Sequence, residues 1–317
     1  MSVDRVATAQ QSAYFLAQIN QAGAALDKTQ QQIATRVVST TYAGFGSQAQ
    51  VLQATMSANA RNDAYTTATN LAATQTDMQD TQLTSLSSLA AELKKSISDA
   101  VANNDPSTLM DQVSSIFDQA VSILNSKDAN GDYIYSGGKT DTTPMSVSTL
   151  SQLASLPSVS NAFANGDYKK TVQVADGQTI TYGVTASDVA TGLMQELQSI
   201  AQFDAGGSGN FSGSGNLTQA QNNFLTGQIA TTNTVASDLN TTTAQNGYNF
   251  TALTNAQSQQ SSLKTLYSGF VSNIQDTNMA QAATQLSLNQ TALQAALQVT
   301  AGLNQLSLLN YLPTNGG

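Results

Sequence analysis

"LNQTALQAALQVTAGLNQLSLLNYLPTNGG", residues 288–317, is the stretch that decides the fold. It is rich in Leu and Ala and has no charged residue, and its period predicts a long helix with an apolar stripe. Just upstream, Met279 and Leu286 begin the stripe, and Leu293 continues it at the same interval of seven residues. A helix of this kind cannot bury its stripe alone. It must pack against a helix of the same chain, against other chains, or against a membrane.

A second stripe with the same period lies near the N-terminus. Ile19, Leu26 and Ile33 recur every seven residues, and Phe15 and Ala22 occupy intermediate positions. This heptad pattern is typical of helices that pack side by side. The N-terminal helix is therefore the expected partner of the C-terminal one, either antiparallel in the same chain or in a neighbouring copy.

The positions of proline permit long helices at both ends of the chain. The four prolines lie between residues 106 and 157 and at residue 313, and proline breaks helix interiors. In the N-terminal flank, "STTYAGFGSQAQ" predicts a loop, and helical character resumes over Ser47–Asn103. Asp105 is predicted to cap the next helix, with Pro106 at its first position and its end near Ser126.

The middle of the chain changes to strand and turn patterns before helices return. "DYKKTVQVADGQTITYGV" alternates apolar and polar residues around an Asp-Gly pair and predicts a β-hairpin. A helix over Ser187–Phe203 and a flexible Gly/Ser loop should follow. Helical periodicity resumes at Leu217, with an expected interruption at Asn246–Asn249. A final helix over Phe250–Leu309 would be roughly 90 Å long at ~1.5 Å per residue.

These patterns predict a mainly α protein, with long N- and C-terminal helices packed as a coiled-coil-like rod and a small α+β insert containing a β-hairpin. The chain divides into five predicted segments. They are an N-terminal assembly core helix (1–45), a helical rod segment (46–130), an outer α+β insert with the hairpin and the Gly/Ser loop (131–216), a helical return segment (217–249) and a C-terminal assembly core helix (250–317).

Composition excludes most kinds of chemical site. Because the chain has no His and no Cys, thiolate nucleophiles, imidazole bases, disulfides and Cys or His metal ligands are impossible. The formal net charge of −9 argues against nucleic acid. Residues 276–312 lack Lys and Arg, which an interfacial membrane helix would carry. We therefore predict no catalytic residues, no cofactor, no metal, no nucleic acid and no membrane insertion.

Two local motifs invite a ligand-binding interpretation, and both depart from the pattern they resemble. "DANGDY" places Asp128, Asn130 and Asp132 at EF-hand spacing, but Tyr133 stands where that loop needs Gly and Lys139 where it needs Glu. "GGSGNFSGSG" lacks the spacing and the Lys of a phosphate loop. A turn and a linker are the expected structures.

The helical stripes are the strongest remaining signal. Charged residues make up 10% of the chain, against roughly 25% in ordinary soluble domains, and such a surface suits packing among many copies. A self-contained helical bundle within one chain is the alternative. The predicted assembly interface consists of Phe15, Ile19, Leu26, Ile33, Met279, Leu286, Leu293, Leu297, Leu303, Leu306 and Leu309.

Four stretches resemble the flagellin family. "QQSAYFLAQINQAGAALDKTQQQIATRVVSTTYAGFG" is similar to the first core helix of that family and the loop after it, although the loop departs from the common S-G-K-R form. "NSKDANGDYIYSGGKTDTTP" is similar to a stretch of the hook–filament junction proteins. "SNIQDTNMAQAATQLSLNQTALQAAL" resembles a helix with the pattern S-x-I-x-D-x-D-x-A, with Asn278 in place of an acidic residue. "LSLLNYL" resembles the ending of junction proteins more than that of filament flagellins.

The resemblance implies a structural, non-enzymatic part of the bacterial flagellum. Such proteins are exported unfolded by the flagellar type III apparatus, so the expected location is extracellular, at the hook–filament junction. The implied partners are further copies of the chain, another hook-associated protein, flagellin, and an export chaperone on the C-terminal helix. A minor filament flagellin is the alternative. An enzyme or carbohydrate-binding protein that uses the insert is a more distant one.

Overall fold

The computed structural model describes residues 2–213 and 215–309, with side chains described over 10–213 and 215–302. The described part is mainly α, with long first and last helices and one two-stranded antiparallel sheet, which confirms the predicted fold class. Its elements in chain order are α1 (Ser2–Thr35), a 3₁₀ helix (Tyr42–Gln48), α2 (Ala49–Asn103), α3 (Leu109–Leu124), α4 (Leu150–Ser155), a 3₁₀ helix (Val159–Ala162), β1 (Lys170–Ala175), β2 (Gln178–Tyr182), α5 (Ala186–Ala205), α6 (Gln219–Gln275) and α7 (Met279–Leu309).

The chain divides into two compact units. The first unit comprises Met1–Arg61 and Leu263–Gly317, and the second comprises Asn62–Ser262. Helices α2 and α6 contribute residues to both units. The division into assembly core, rod and outer insert remains a prediction, because compactness alone does not identify an assembly surface.

Antiparallel packing of α2 against α6 organises the second unit. The side-chain amide of Asn62 donates to the Gln260 carbonyl at 2.8 Å, and that of Asn246 donates to the Thr76 carbonyl at 2.9 Å. Both bonds belong to one antiparallel register. A position seven residues later in α2 therefore faces a position seven residues earlier in α6. Buried residues recur at this interval on α2 (Asn62, Thr69, Thr76, Leu83, Ala90, Ile97) and on α6 (Leu225, Thr232, Leu239, Asn246, Leu253, Gln260).

The main hydrophobic core of the second unit lies where α3 and α5 pack with α2 and α6. Phe117 of α3, Leu93 of α2 and Leu197 of α5 belong to it and are fully buried. Helix α5 begins with a capping box in which the Thr185 hydroxyl accepts from the Asp188 amide and the Asp188 carboxylate accepts from the Thr185 amide. Its range lies within two residues of the predicted one at each end.

The predicted hairpin is confirmed. Strands β1 and β2 pair antiparallel, with Val172 opposite Ile180. Asp176 and Gly177 form the turn, and Gly177 has a positive φ of 72° that favours glycine. Tyr133 forms an isolated β-bridge with Lys127 and belongs to neither strand.

One predicted helix start and one predicted loop in the N-terminal half need correction. Helix α3 begins at Leu109 rather than after Asp105, because Asp105 caps a turn instead: its carboxylate accepts the Ser107 amide at 3.0 Å. Residues 39–50 contain a 3₁₀ helix rather than only loop. Gly44 is required there, because a Cβ at this position would lie 2.0 Å from the Ser39 hydroxyl oxygen.

In the C-terminal half, the predicted position of the helix break was wrong. Helix α6 runs unbroken through Asn246–Asn249, because Asn246 is buried and hydrogen-bonded on the α2 side, and tertiary packing outweighs weak helix propensity there. The continuous helix expected over Phe250–Leu309 is instead interrupted between Gln275 and Met279.

Candidate assembly interface

Helices α1 and α7 pack against each other within the first unit. On α1, Thr29 is buried and the half-buried residues on either side of it follow the heptad spacing, among them Phe15, Ile19, Ala22, Leu26 and Ile33. On α7 the same spacing describes Ala282, Leu286, Asn289, Leu293, Ala296 and Thr300. The predicted pairing of the two terminal stripes therefore occurs within one chain.

Asn289 joins the two helices by hydrogen bonds. Its side-chain amide donates to the Thr29 hydroxyl at 2.9 Å and to the Ala25 carbonyl at 3.1 Å. A polar residue at a seam position disfavours shifted registers, because a shift would leave its amide without a partner. Asn289 therefore sets the register of α1 against α7.

The predicted interface residues fall into three groups. Six lie on the α1–α7 seam and are half-buried: Phe15, Ile19, Leu26, Ile33, Leu286 and Leu293. Met279 and Leu297 are exposed, at 43% and 49%, so they are not covered by the partner helix. The side chains of Leu303, Leu306 and Leu309 lie outside the described residues. A role in assembly remains a prediction for all of them.

The break between α6 and α7 is built by backbone pairing with the end of α1. The Val38 amide donates to the Gln275 carbonyl at 2.8 Å, and the Thr277 amide donates to the Arg36 carbonyl at 2.9 Å. The Asn278 side chain then accepts from the Ala280 and Gln281 amides and caps α7. Asn and Asp cap helix N-termini about equally well. Asn278 can therefore replace the acidic residue of the S-x-I-x-D-x-D-x-A pattern without changing the start of α7.

The first unit exposes much apolar surface and carries little negative charge. Its sequence includes only three acidic residues, Asp4, Asp27 and Asp276, of the chain's twenty, and α7 has no charged residue at all. Most of the exposed large apolar side chains of the described residues lie in this unit: Tyr14, Leu16, Tyr42, Val51, Met56, Leu263, Leu266, Phe270, Met279, Leu288, Leu297 and Val299. Such a surface is typical of interaction sites.

The second unit contains a buried carboxyl group that is the strongest candidate for acid–base chemistry. Glu196 is 2% exposed on α5, and its Oε1 accepts from the Thr232 hydroxyl at 3.0 Å. Burial raises the pKa of this carboxyl group to about 7, and the hydrogen bond from Thr232 makes the rise smaller. With its amide nitrogen toward the carboxylate, Gln228 donates to Oε1 at 2.9 Å and to Oε2 at 3.0 Å, and these bonds, like that from Thr232, favour the charged form and oppose the rise in pKa. The carboxyl group is thus enclosed by its own neighbours.

A Glu196→Gln variant should change how stability depends on pH. The folded-state pKa of about 7 exceeds the ordinary value of 4.5. Between these two pH values the folded protein therefore keeps a proton on Glu196 that the unfolded chain has lost. The free energy of unfolding should therefore fall as pH rises between about 4.5 and 7. The variant has no carboxyl group at this position and should not lose this stability. Between pH 4.5 and pH 8 its free energy of unfolding should therefore rise, relative to that of the unsubstituted protein, by on the order of 2 kcal/mol.

Urea unfolding at pH 4.5, 6 and 8 measures this difference. Glu92→Gln, on the exposed surface of α2, controls for the change in net charge. A Glu196→Gln variant whose pH profile matches that of the unsubstituted protein would show that this carboxyl group does not bind the extra proton.

Both ligand motifs form turns over the residues that the structure describes. The Asp128 carboxylate accepts from the Asn130 amide at 2.8 Å and from the Asp132 amide at 3.1 Å. Nowhere in the described residues do three His, Cys, Asp or Glu side chains gather as metal ligands would. Among the described helices, none combines the length and the apolar character needed to cross a membrane.

Sequence reasoning missed the polar members of the α2–α6 seam and the role of Asn289. Asn62, Thr76, Asn246 and Gln260 are buried, but a search for apolar stripes passes over them. Their intervals of seven or fourteen residues were present in the sequence, and spacing taken without regard to polarity would have found them.

Comparison with known proteins identifies a fold likeness. No protein-family model matches the chain, and no curated protein matches it. Among solved structures, a protein from Vibrio parahaemolyticus assigned as a flagellar hook-associated protein has a TM-score of 0.56 and 19% identity, over 72% of this chain and 97% of that one. Bacillus cereus FlgL has a TM-score of 0.49 and 12% identity, over 70% of this chain and 98% of that one. At 19% identity, the likeness to the Vibrio parahaemolyticus protein is one of fold.

Proposed function

We propose that this protein is a structural component of the bacterial flagellum, an adaptor that polymerises between hook and filament through its terminal helices. The observation that carries the proposal is the α1–α7 pair: a helix without charge, Met279–Leu309, beside a surface with many exposed apolar side chains. The fold shared with the Vibrio parahaemolyticus protein supports the flagellar setting.

The geometry favours assembly over a self-sufficient monomer. A two-helix pair leaves its seam half open, and Leu286 and Leu293 remain partly exposed in the single chain. Further copies, another hook-associated protein or flagellin would cover this surface and remove apolar area from water. Before secretion, an export chaperone on α7 would protect the same surface. Secretion and an extracellular location belong to this proposal.

Deletion of the gene in the bacterium that carries it tests the junction role. We expect hooks without filaments and free flagellin in the medium, because flagellin would have no surface on which to polymerise. Electron microscopy and blotting of the medium measure both, and restoration by the plasmid-borne gene is the control.

Other outcomes separate the alternatives. Shortened filaments that still grow from the hooks would contradict the junction role, and purified protein that forms long filaments alone would favour a filament flagellin. Immunogold labelling should mark the hook tip if the proposal holds.

A further inference from the structure

The α2–α6 pair has a polar half and an apolar half. The polar half, residues 62–79 and 246–260, contains the hydrogen bonds from the Asn62 side-chain amide to the Gln260 carbonyl and from the Asn246 side-chain amide to the Thr76 carbonyl. The apolar half, residues 83–97 and 225–239, has Leu and Ile at most of the equivalent positions. Both halves belong to the second unit, so one helix pair changes its chemistry along its length.

Several buried acceptors in the polar half have no hydrogen-bond partner among the described residues. They are Gln79 Oε1, Asn246 Oδ1 and Gln260 Oε1. A buried polar atom loses its contact with bulk water on folding, and a missing partner lowers the stability of the segment that holds it. The polar half therefore gains less from folding per residue than the apolar half.

The two halves also differ in the core that they join. The apolar half belongs to the large cluster shared with α3 and α5. The polar half packs on a small separate cluster made of Ala72, Ala73, Leu253 and three side chains of the hairpin, Val172, Val174 and Tyr182. Fewer buried apolar contacts mean a lower free energy of local opening.

The hairpin is tied to this same half by polar contacts. Gln260 Nε2 donates to the Val174 carbonyl at 2.9 Å. The Tyr65 hydroxyl donates to the Asp176 carboxylate at 2.6 Å, and the Tyr182 hydroxyl lies 3.2 Å from Gln75 Oε1. A two-stranded sheet is marginal without support, so the hairpin and the polar half depend on each other.

We propose that the hairpin and the polar half of the α2–α6 pair open together as one local unfolding unit while the apolar half stays folded. The arrangement provides a region that can rearrange without unfolding the main core. It is a property of the single chain and does not depend on the proposed function.

Hydrogen exchange of the full-length protein, followed by mass spectrometry or NMR, tests the proposal. The hydrogen-bonded amides of residues 62–76, 246–260 and the hairpin should exchange at one common opening free energy, roughly a hundredfold faster than those of residues 83–97. In low concentrations of denaturant, the three segments should also share one dependence on denaturant. Equal protection in both helix halves, or a hairpin that opens independently of the polar half, would overturn the proposal.

Two variants test whether the unpartnered polar groups cause the difference. Gln79→Leu and the nearly isosteric Gln79→Met each remove a buried amide whose Oε1 has no partner in the described part of the chain and whose Nε2 makes one bond of 3.4 Å to the Val184 carbonyl. Each should slow exchange in the polar half by roughly tenfold. Gln245→Leu makes a similar change at an exposed position and should leave the ratio between the halves unchanged. If Gln79→Leu fails to fold, Gln79→Met decides, and an unchanged ratio in it would count against the proposal.

Discussion

Replacing Leu293 with Asp should abolish incorporation of the protein into flagella and separate α1 from α7. Leu293 lies half-buried on α7 at a heptad position that faces α1. Burying an unpaired carboxylate costs several kcal/mol, and no basic residue of α7 is available to pair with it. Far-UV circular dichroism and limited proteolysis of α1 and α7 measure the separation, and motility and immunoblotting of purified flagella measure incorporation.

A substitution at Leu297 distinguishes the effect of packing within the chain from that of packing between chains. It is 49% exposed, so Leu297→Asp should leave the α1–α7 pair folded while still blocking incorporation if its exposed face meets a neighbour. Gln294→Asp, at an exposed position beside the seam, is the control for charge and should incorporate normally. Full motility of the Leu293→Asp strain would refute the assembly role of the seam. Loss of incorporation with Gln294→Asp would show that any charge on α7 is harmful.

Phe117→Ala should destabilise the second unit by about 3–5 kcal/mol. Phe117 is fully buried on α3 within the main core, and its removal leaves a cavity that helices fixed on several sides cannot close. Because native domains have only about 5–15 kcal/mol of stability, this loss is a large share of the total and should lower the melting temperature and the urea midpoint of the unit. Thermal and urea unfolding followed by circular dichroism measure the loss.

Tyr248→Ala is the matched control for this core substitution. Tyr248 lies in the same unit on α6 and is 76% exposed, so its removal should change stability by no more than about 0.5 kcal/mol. A Phe117→Ala variant as stable as Tyr248→Ala would mean that α3 does not pack in the core as described.

Local pattern and tertiary context contributed unequally to the fold. The hairpin was predictable because alternation and an Asp-Gly turn act over a few residues, and the α1 and α7 stripes were predictable because their heptads are apolar. The start of α3 was wrong because of a local turn at Asp105, whereas the two wrong boundaries in the C-terminal half each depended on a distant residue. Gln275–Met279 breaks because residues 36–38 pair with it, and Asn246–Asn249 continues because Thr76 accepts its hydrogen bond.

The sequence by itself determined the mainly α class, the partnership of the terminal helices, and the exclusion of thiolate, imidazole and Cys or His metal chemistry, because period and residue inventory are local properties of the chain. Only the tertiary structure decided which apolar side chains the chain covers for itself. Leu293 and Leu297 both belong to the predicted interface, yet one is half-buried and the other is exposed. The reason is that burial depends on which face of α7 meets α1, and the hydrogen bonds from Asn289 to Thr29 and Ala25 fix that face.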